Sequence, residues 1–477
     1  MCCYVSNLAF IIPYLYLPLH TIFEKMASFK EYLPFYRRNL KVALPIMFAQ
    51  LGGAVVQFAD VKMVGALGTV ELAAVAFATA VLVIALVASM TMLQSITPLT
   101  AYKYVNHEHE EVTKYLQNGL VQCVIVSIAI LSILAIAYFN LERFGQDPAV
   151  CELAKNYFLI VAASFVPVIF FEGFRQFLAA LGNTSVAMII TLISNVINIL
   201  FNYLLIYGEY GFPKLGVDGA AIATFLSRVL SPLAILAVML YKKEWRMYIV
   251  GMKKAFFSKS HLVELFKVGI PISLRSTVEV TAFAFSGIMV GWLGPVALAS
   301  NQIASSVGHM VFMIVLGIGA ATTIRVSHQY GRKDLNAVCM AANASIHLAL
   351  LNNAIMGALI IIFRYDIAGF FSVDPLVIEQ TASILVFAGI FQVSDGLQCV
   401  GIGILNGLTD VKYTMYCAFV SYLLINLPVG YYLGFCRGWG AEGVWTGFIF
   451  GLTLAAILFH LRWYVMMKRM KKEQDIR

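Results

Sequence analysis

Met63–Ala73 reads MVGALGTVELA, and Met289–Ala299 reads MVGWLGPVALA. Eight of these eleven positions are identical, and the two stretches lie 226 residues apart. The same offset relates Lys41–Ile46, KVALPI, to Lys267–Ile272, KVGIPI, and continues through Thr97/Thr323 and Tyr104/Tyr330. Farther on the match weakens but persists. Glu172-Gly173 answers to Asp395-Gly396, and the segment Gly216–Gly219 answers to Gly440–Gly443. A repeat this long means that the chain is built from two related halves.

Composition says what the halves are made of. Of 477 residues, 61% are hydrophobic and 12% charged, and the mean hydropathy is +0.84. A soluble domain carries roughly a quarter charged residues, so a water-soluble enzyme and a disordered chain are both excluded. A helix needs about 20 apolar residues to cross a bilayer. Such runs recur nearly end to end, whereas a membrane barrel would show alternating ten-residue strands. The predicted spans are 40–64, 73–98, 117–139, 156–181, 186–207, 217–241, 263–292, 297–323, 341–363, 379–405, 412–435 and 443–467. The expected fold is therefore an all-α polytopic membrane protein, with about twelve transmembrane helices in two homologous six-helix lobes around a central cleft. An even number of spans per repeat keeps both halves in one orientation, so the repeat is parallel.

The expected organisation is an atypical extension over 1–25, an N-terminal lobe over 26–240, a basic linker over 241–261 and a C-terminal lobe over 262–477. The extension holds Pro13 and Pro18 and has no basic residue before its apolar stretch. It makes a poor signal peptide and a poor spanning helix, and Met26 reads as the better start.

The formal charge is +8, and the basic residues gather at loops and ends. Sorted by loop, 22 Lys and Arg fall on the side of the termini and 5 on the other. The basic-side rule then places both termini in the cytoplasm and the protein in the cytoplasmic membrane. No basic stripe is interleaved with aromatics, which argues against nucleic acid. The eight cysteines show neither CxxC pairs nor Cys/His ligand spacing. No GxxxxGK[ST] loop is present, so nothing points to ATP hydrolysis. Two related helical lobes suit a secondary transporter.

Charges placed mid-span cost about 2.5–3.5 kcal/mol on insertion scales, so each needs a partner or a function. Asp395 and Glu279 lie deep in their spans. They read as a cation or proton site, since carboxylate oxygen suits a hard cation such as sodium and a desolvated carboxyl suits proton coupling. For Glu279 the competing reading is a structural pair with Arg275, four residues earlier. Asp60 reads as a further coupling acid or a solvated end residue, and Lys62 as a side chain reaching for the interface. Glu172 and Arg175 sit at i, i+3 and read as a structural pair. Arg228 reads as an interhelical partner. Asn195, Asn198 and Asn202 share one helix face, either as helix–helix glue or as a polar lining. His309, His328 and His347 read as structural.

These motifs resemble the multidrug and toxic compound extrusion (MATE) family of cation antiporters. The resemblance rests on Pro45, Asp60–Gly65, Pro271, Glu279-Val280, Gln392–Gly396 and Gly407–Asp410, and spans roughly residues 35–470. It implies that Asp395 and Glu279 serve sodium or proton coupling, that Asp60 serves protonation or substrate binding, and that Asn198 and Asn202 lie near it. Phe391 and Gln392 are expected along the substrate path. Relatives often carry Tyr where this chain has Phe391, which removes a possible sodium ligand. They also often have Arg-Gly where it has Asn406-Gly407.

The function expected is export of small amphipathic organic cations by alternating access, coupled to sodium or protons. The expectation includes no cofactor, no nucleic acid, no obligate protein partner and no enzymatic activity; membrane lipids are the surroundings. The rivals are a lipid-linked sugar flippase, which would want a more basic cavity, and a narrow-specificity metabolite exporter. A membrane enzyme would need a catalytic cluster that the sequence does not display.

Overall fold

The computed structural model describes residues 29–253 and 256–475; the extension over 1–25 lies outside them. Twelve helices are long and apolar enough to cross a membrane. They are α1 Lys30–Gly65, α2 Thr69–Val105, α3 His109–Phe139, α4 Pro148–Ala180, α5 Ser185–Tyr207 and α6 Gly216–Tyr241 in the first half. In the second half they are α7 Lys259–Gly291, α8 Pro295–Gly331, α9 Leu335–Ile362, α10 Pro375–Gly407, α11 Val411–Cys436 and α12 Gly440–Gln474. No β-strand occurs among the described residues. In lipid every backbone amide must be satisfied within its own segment, which leaves the helix as the open-ended solution.

Several helices outrun the apolar segments that announce them. α1 begins at Lys30 rather than 40, α3 at His109 rather than 117, and α8 ends at Gly331 rather than 323. Hydropathy marks the thickness of the hydrocarbon layer, but a helix stops only where its hydrogen bonds do. Tertiary contacts hold the extra turns. In α1, Asn39 Nδ2 donates to the carbonyl of Ala341 and to Ser345 Oγ, each at 2.9 Å. Tyr36 OH lies 2.7 Å from His347 Nδ1.

The chain packs as two compact units. One is Leu44–Thr281; the other is Ala282–Arg477 together with the segment ending at Ala43. The repeat boundary read from sequence falls in the linker, whereas the packing boundaries fall inside α1 and α7. The linker and most of α7 are tied to the first half by polar contacts. Tyr115 OH donates to Glu264 at 2.6 Å, His261 Nε2 lies 3.0 Å from Glu111, and Ser273 Oγ donates to the Ala88 carbonyl at 2.8 Å. A short linker helix, Lys243–Val250, buries Trp245 and Tyr248.

Within the unit containing the second half, α10 packs against α8, α9 and α12. Backbones meet there without side chains between them: a Cβ on Gly403 would stand 2.4 Å from the Gly319 carbonyl oxygen. Close approach through small residues is how helices bind one another when lipid supplies no hydrophobic drive. The repeat conserves this device. A Cβ on Gly219 would stand 2.5 Å from the Leu205 carbonyl oxygen, and one on its counterpart Gly443 would stand 2.5 Å from Gly434 N. The halves differ in detail, since α11 is π-helical over Phe419–Asn426 and Tyr432–Cys436 while α5 is regular.

Gly403→Leu should lower the thermal unfolding midpoint in detergent by several degrees, because overpacking costs about 1–3 kcal/mol. Gly53→Leu is the control, as a Cβ there meets nothing within 4 Å. Equal losses at both positions would show that the glycine contact is not what matters.

Candidate functional site: buried polar groups of the spanning helices

In the unit Leu44–Thr281, Asp60 is not a solvated helix end. It is half-buried and accepts a hydrogen bond from Asn202 Nδ2. Asn202 also reaches Asn198 Oδ1 at 3.2 Å, and Asn198 in turn lies 3.4 Å from Thr224 Oγ1 and Ser227 Oγ of α6. Helical spacing puts Asn198 and Asn202 one turn apart, so one amide ladder joins α1, α5 and α6. Asn202 Oδ1 is buried and accepts no hydrogen bond. Arg228 and Tyr157 both interact electrostatically with Asp60. Arg228 Nη1 also donates to Ser164 Oγ at 2.7 Å, where α4 is interrupted. Lys62 is exposed, away from this network.

In the same unit Glu279 receives Arg275 Nη1 at 2.8 Å, and Arg275 Nη2 donates to Ser276 Oγ at 2.7 Å. The acid is therefore held in an i, i+4 pair. Glu172 is held more firmly. Arg175 Nε and Nη2 each donate to one of its oxygens at 2.7 Å, and Gln176 Nε2 adds a bond at 2.6 Å. Bidentate pairing of this kind is the strongest that a carboxylate can accept. A pair that tight leaves Glu172 little freedom to exchange its counter-charge.

Asp395 occupies the place of Glu172 in the second half, 223 residues later. It is 2% exposed. At the position corresponding to Arg175 stands Gln398, itself 1% exposed. The fixed positive charge that locks the first acid is replaced by a neutral amide beside the second. Around Asp395 the helices carry further polar groups. Ser394 Oγ and Thr453 Oγ1 lie 2.7 Å apart, and Asn353 Nδ2 donates to the Gln392 carbonyl at 2.6 Å. The Gln392 side chain is fully buried, with neither its Oε1 nor its Nε2 hydrogen-bonded.

Phe391 belongs to an aromatic cluster. Its ring meets Trp445 edge-on at 5.8 Å, Trp445 meets Phe448 at 5.6 Å, and Phe448 stacks on Phe283 at 4.4 Å. Trp445 Nε1 donates to Asn301 Oδ1 at 2.9 Å. Among the described residues no three His, Cys, Asp or Glu side chains gather as a metal cluster.

The structure thus joins Asp60, Asn198 and Asn202, and sets Phe391, Gln392 and Asp395 on one helix. Sequence reading overlooked Tyr157, Trp445, Phe448 and Gln398. Only the last carried a usable signal: extending the repeat three residues beyond Glu172/Asp395 sets Arg175 against Gln398. The aromatic contacts had none, because the helices that meet are distant in the chain.

Arg175→Met alone should destabilise the protein by about 3–5 kcal/mol, since it strands a buried carboxylate. Glu172→Gln combined with Arg175→Met should recover most of that loss. A double variant as unstable as the single one, measured by thermal unfolding in detergent, would contradict the pairing.

Comparison with known proteins places this geometry. The MatE family model matches residues 45–204 and again 271–432, one match in each half. The multidrug resistance protein NorM of Vibrio cholerae is 29% identical over 438 residues, covering 90% of this chain and 95% of that protein. NorM of Aliivibrio fischeri is 31% identical over 430 residues, covering 89% and 93%. Among solved structures, an outward-facing multidrug resistance MATE transporter of the MOP superfamily superposes with a TM-score of 0.85. That likeness has 22% identity and covers 94% of this chain and all of the other. The eukaryotic MATE transporter AtDTX14 superposes with a TM-score of 0.82 at 19% identity, covering 93% and 99%. With twelve spans, two matched repeats and relatives aligned over nearly their whole length, this multi-pass membrane protein belongs to the MatE family.

Proposed function

We propose that the protein is a multidrug efflux transporter that couples outward movement of amphipathic organic cations to inward flow of a monovalent cation. The relatives' names support efflux, and the Asp395–Gln398 arrangement carries the coupling. A carboxylate in a low-dielectric interior is costly when charged and cheap when neutralised. With Gln398 where its repeat partner has Arg175, Asp395 is suited to take up and release a mobile cation instead of keeping a fixed one. Uptake changes the net charge of the buried site and so shifts the balance between conformations. Access then alternates by relative motion of the two compact units.

Glu279 is the second coupling candidate. It takes part only when Arg275 lets go, so it acts as a switchable pair. Asp60 is assigned to substrate or proton handling in the other unit. Its carboxylate and the unfilled Asn202 Oδ1 form two acceptors on adjacent helices, a donor-seeking arrangement suited to an organic ammonium. Phe391 and its aromatic neighbours offer π-faces to a flat cation, and Gln392 a polar contact. For sodium, Asp395 would need further oxygens, which Gln392 Oε1 and Ser394 Oγ could supply. Phe391 offers none. The 22-to-5 bias of basic residues supports a cytoplasmic side for both termini and a cytoplasmic-membrane location.

The test is ethidium efflux from proteoliposomes under a sodium gradient or a pH gradient, imposed separately. Asp395→Asn, which mimics a permanently neutral acid, should cut gradient-driven efflux at least tenfold while ethidium binding stays within a few-fold of wild type. Wild-type efflux in that variant would remove Asp395 from the coupling step. Asn202→Leu should weaken ethidium binding more than it alters the choice of driving ion. Unchanged affinity would separate Asp60 and its amide ladder from the substrate.

A further inference from the structure

α12 faces α10 along a stripe spaced three and four residues apart: Thr453, Ala456, His460, Trp463. Thr453 meets Ser394. About two turns farther along, His460 lies against Gly401, where an added Cβ would stand 3.2 Å from the imidazole Cε1 and 3.4 Å from Nδ1. The ring is 8% exposed. Its Nδ1 lies 2.8 Å from the Ala456 carbonyl oxygen. A carbonyl oxygen can only accept, so Nδ1 carries the hydrogen. In the neutral ring Nε2 is then a bare lone pair, and it is buried with no hydrogen-bond donor. Nδ1 of His109 and of His347 each meets a tyrosine hydroxyl; His261 Nε2 meets Glu111, while its Nδ1 is also buried without a hydrogen-bond partner. A buried acceptor left unfilled inside a helix bundle calls for an explanation.

Its position along the bundle matters as much. Gly401 is six residues beyond Asp395, about 9 Å at the helical rise. Nine residues further, Asp410 accepts from Arg462 Nε at 2.6 Å, at the strongly basic end of α12. His460 therefore sits between the coupling acid and that end. Other groups there have unused polar capacity: neither Asn406 Oδ1 nor Trp463 Nε1 has a hydrogen-bond partner. The titratable side chains on this stretch of the elements packed against α12 include Asp395 and Cys399 of α10, Asp410 at the N-cap of α11, Lys412, Tyr413, Tyr416 and Cys417 of α11 and Cys339 of α9, with Arg462 on α12 itself. The first half has no equivalent, since the repeat places Leu236 at the corresponding position.

We propose that His460 is a proton-relay residue, which receives the coupling proton from Asp395 and delivers it towards the basic end of α12. The proposal rests on Asp395 being the coupling acid and commits its ion to the proton. Asp395 gives up its carboxyl proton and becomes a carboxylate. That proton, passed through water ordered by the Gln398 amide, bonds to the Nε2 lone pair. The ring becomes an imidazolium whose Nδ1–H still rests on the Ala456 carbonyl. Loss of the Nε2 proton to water at the basic end restores the neutral ring.

The test uses full-length protein in proteoliposomes with ethidium as the probe. His460→Asn can keep the hydrogen bond to Ala456 and removes the titratable nitrogen. It should slow pH-gradient-driven efflux at least tenfold, while ethidium–ethidium exchange at equal pH, which moves no net proton, stays within twofold of wild type. Wild-type efflux in the variant, or an equal slowing of exchange, overturns the relay. Should the variant fail to fold, the wild type in deuterated water decides. The relay requires a larger isotope effect on gradient-driven efflux than on exchange, and equal effects reject it. Asp395→Asn run in parallel keeps the two readings apart. Full coupled efflux there removes the coupling acid itself, whereas a dead Asp395→Asn beside a wild-type His460→Asn removes the relay alone.

Discussion

Inside the spanning region Glu172 is held by Arg175, which grips both of its oxygens, and by a third bond from Gln176. The low-dielectric interior imposes this rule on every ionisable group: neutralise in place, or trade partners. The pair Arg275–Glu279 obeys it through a single hydrogen bond. Asp395 stands where the rule is written differently, with Gln398 in the arginine's position. The chemistry proposed for this protein follows from that one replacement.

Duplication makes the replacement visible. The two halves share the entry prolines Pro45 and Pro271, the MVG…LG segments and the close glycine contacts Gly219 and Gly443. These shared features build helices and bring them together. What differs is the charge inventory. The first half has Asp60, with its amide ladder and a nearby arginine; at the matching position the second half has Ser286. The second half has Asp395 beside a neutral amide, and His460 where the first has Leu236. A duplicated scaffold has thus kept its packing and diverged in its buried polar groups.

Packing also redraws the boundary between the halves. The start of α1 is tied to α9 by Asn39 and Tyr36, and most of α7 is tied to α2 and α3 by Ser273, Glu264 and His261. Each half contributes part of its first helix to the other's compact unit.

The number of helices, their parallel duplication and the residues worth suspecting were all legible from the chain alone. The reason is that lipid enforces about 20 apolar residues per crossing and makes each intramembrane charge expensive. Asp60, Glu279 and Asp395 stood out on those grounds, and Glu172–Arg175 read as a pair because helical spacing is local. The helix ends were not legible, since turns beyond the hydrocarbon layer depend on contacts such as Asn39 with Ser345. Nor were the partners of Asp60, the aromatic ring around Phe391 or the unfilled nitrogen of His460. Each depends on side chains from helices far apart in sequence meeting at a few ångströms, or on one ring's orientation, and no periodicity encodes that. Sequence determined which residues had to be accounted for inside the membrane. Only the tertiary structure decided which side chains from distant helices each of them meets.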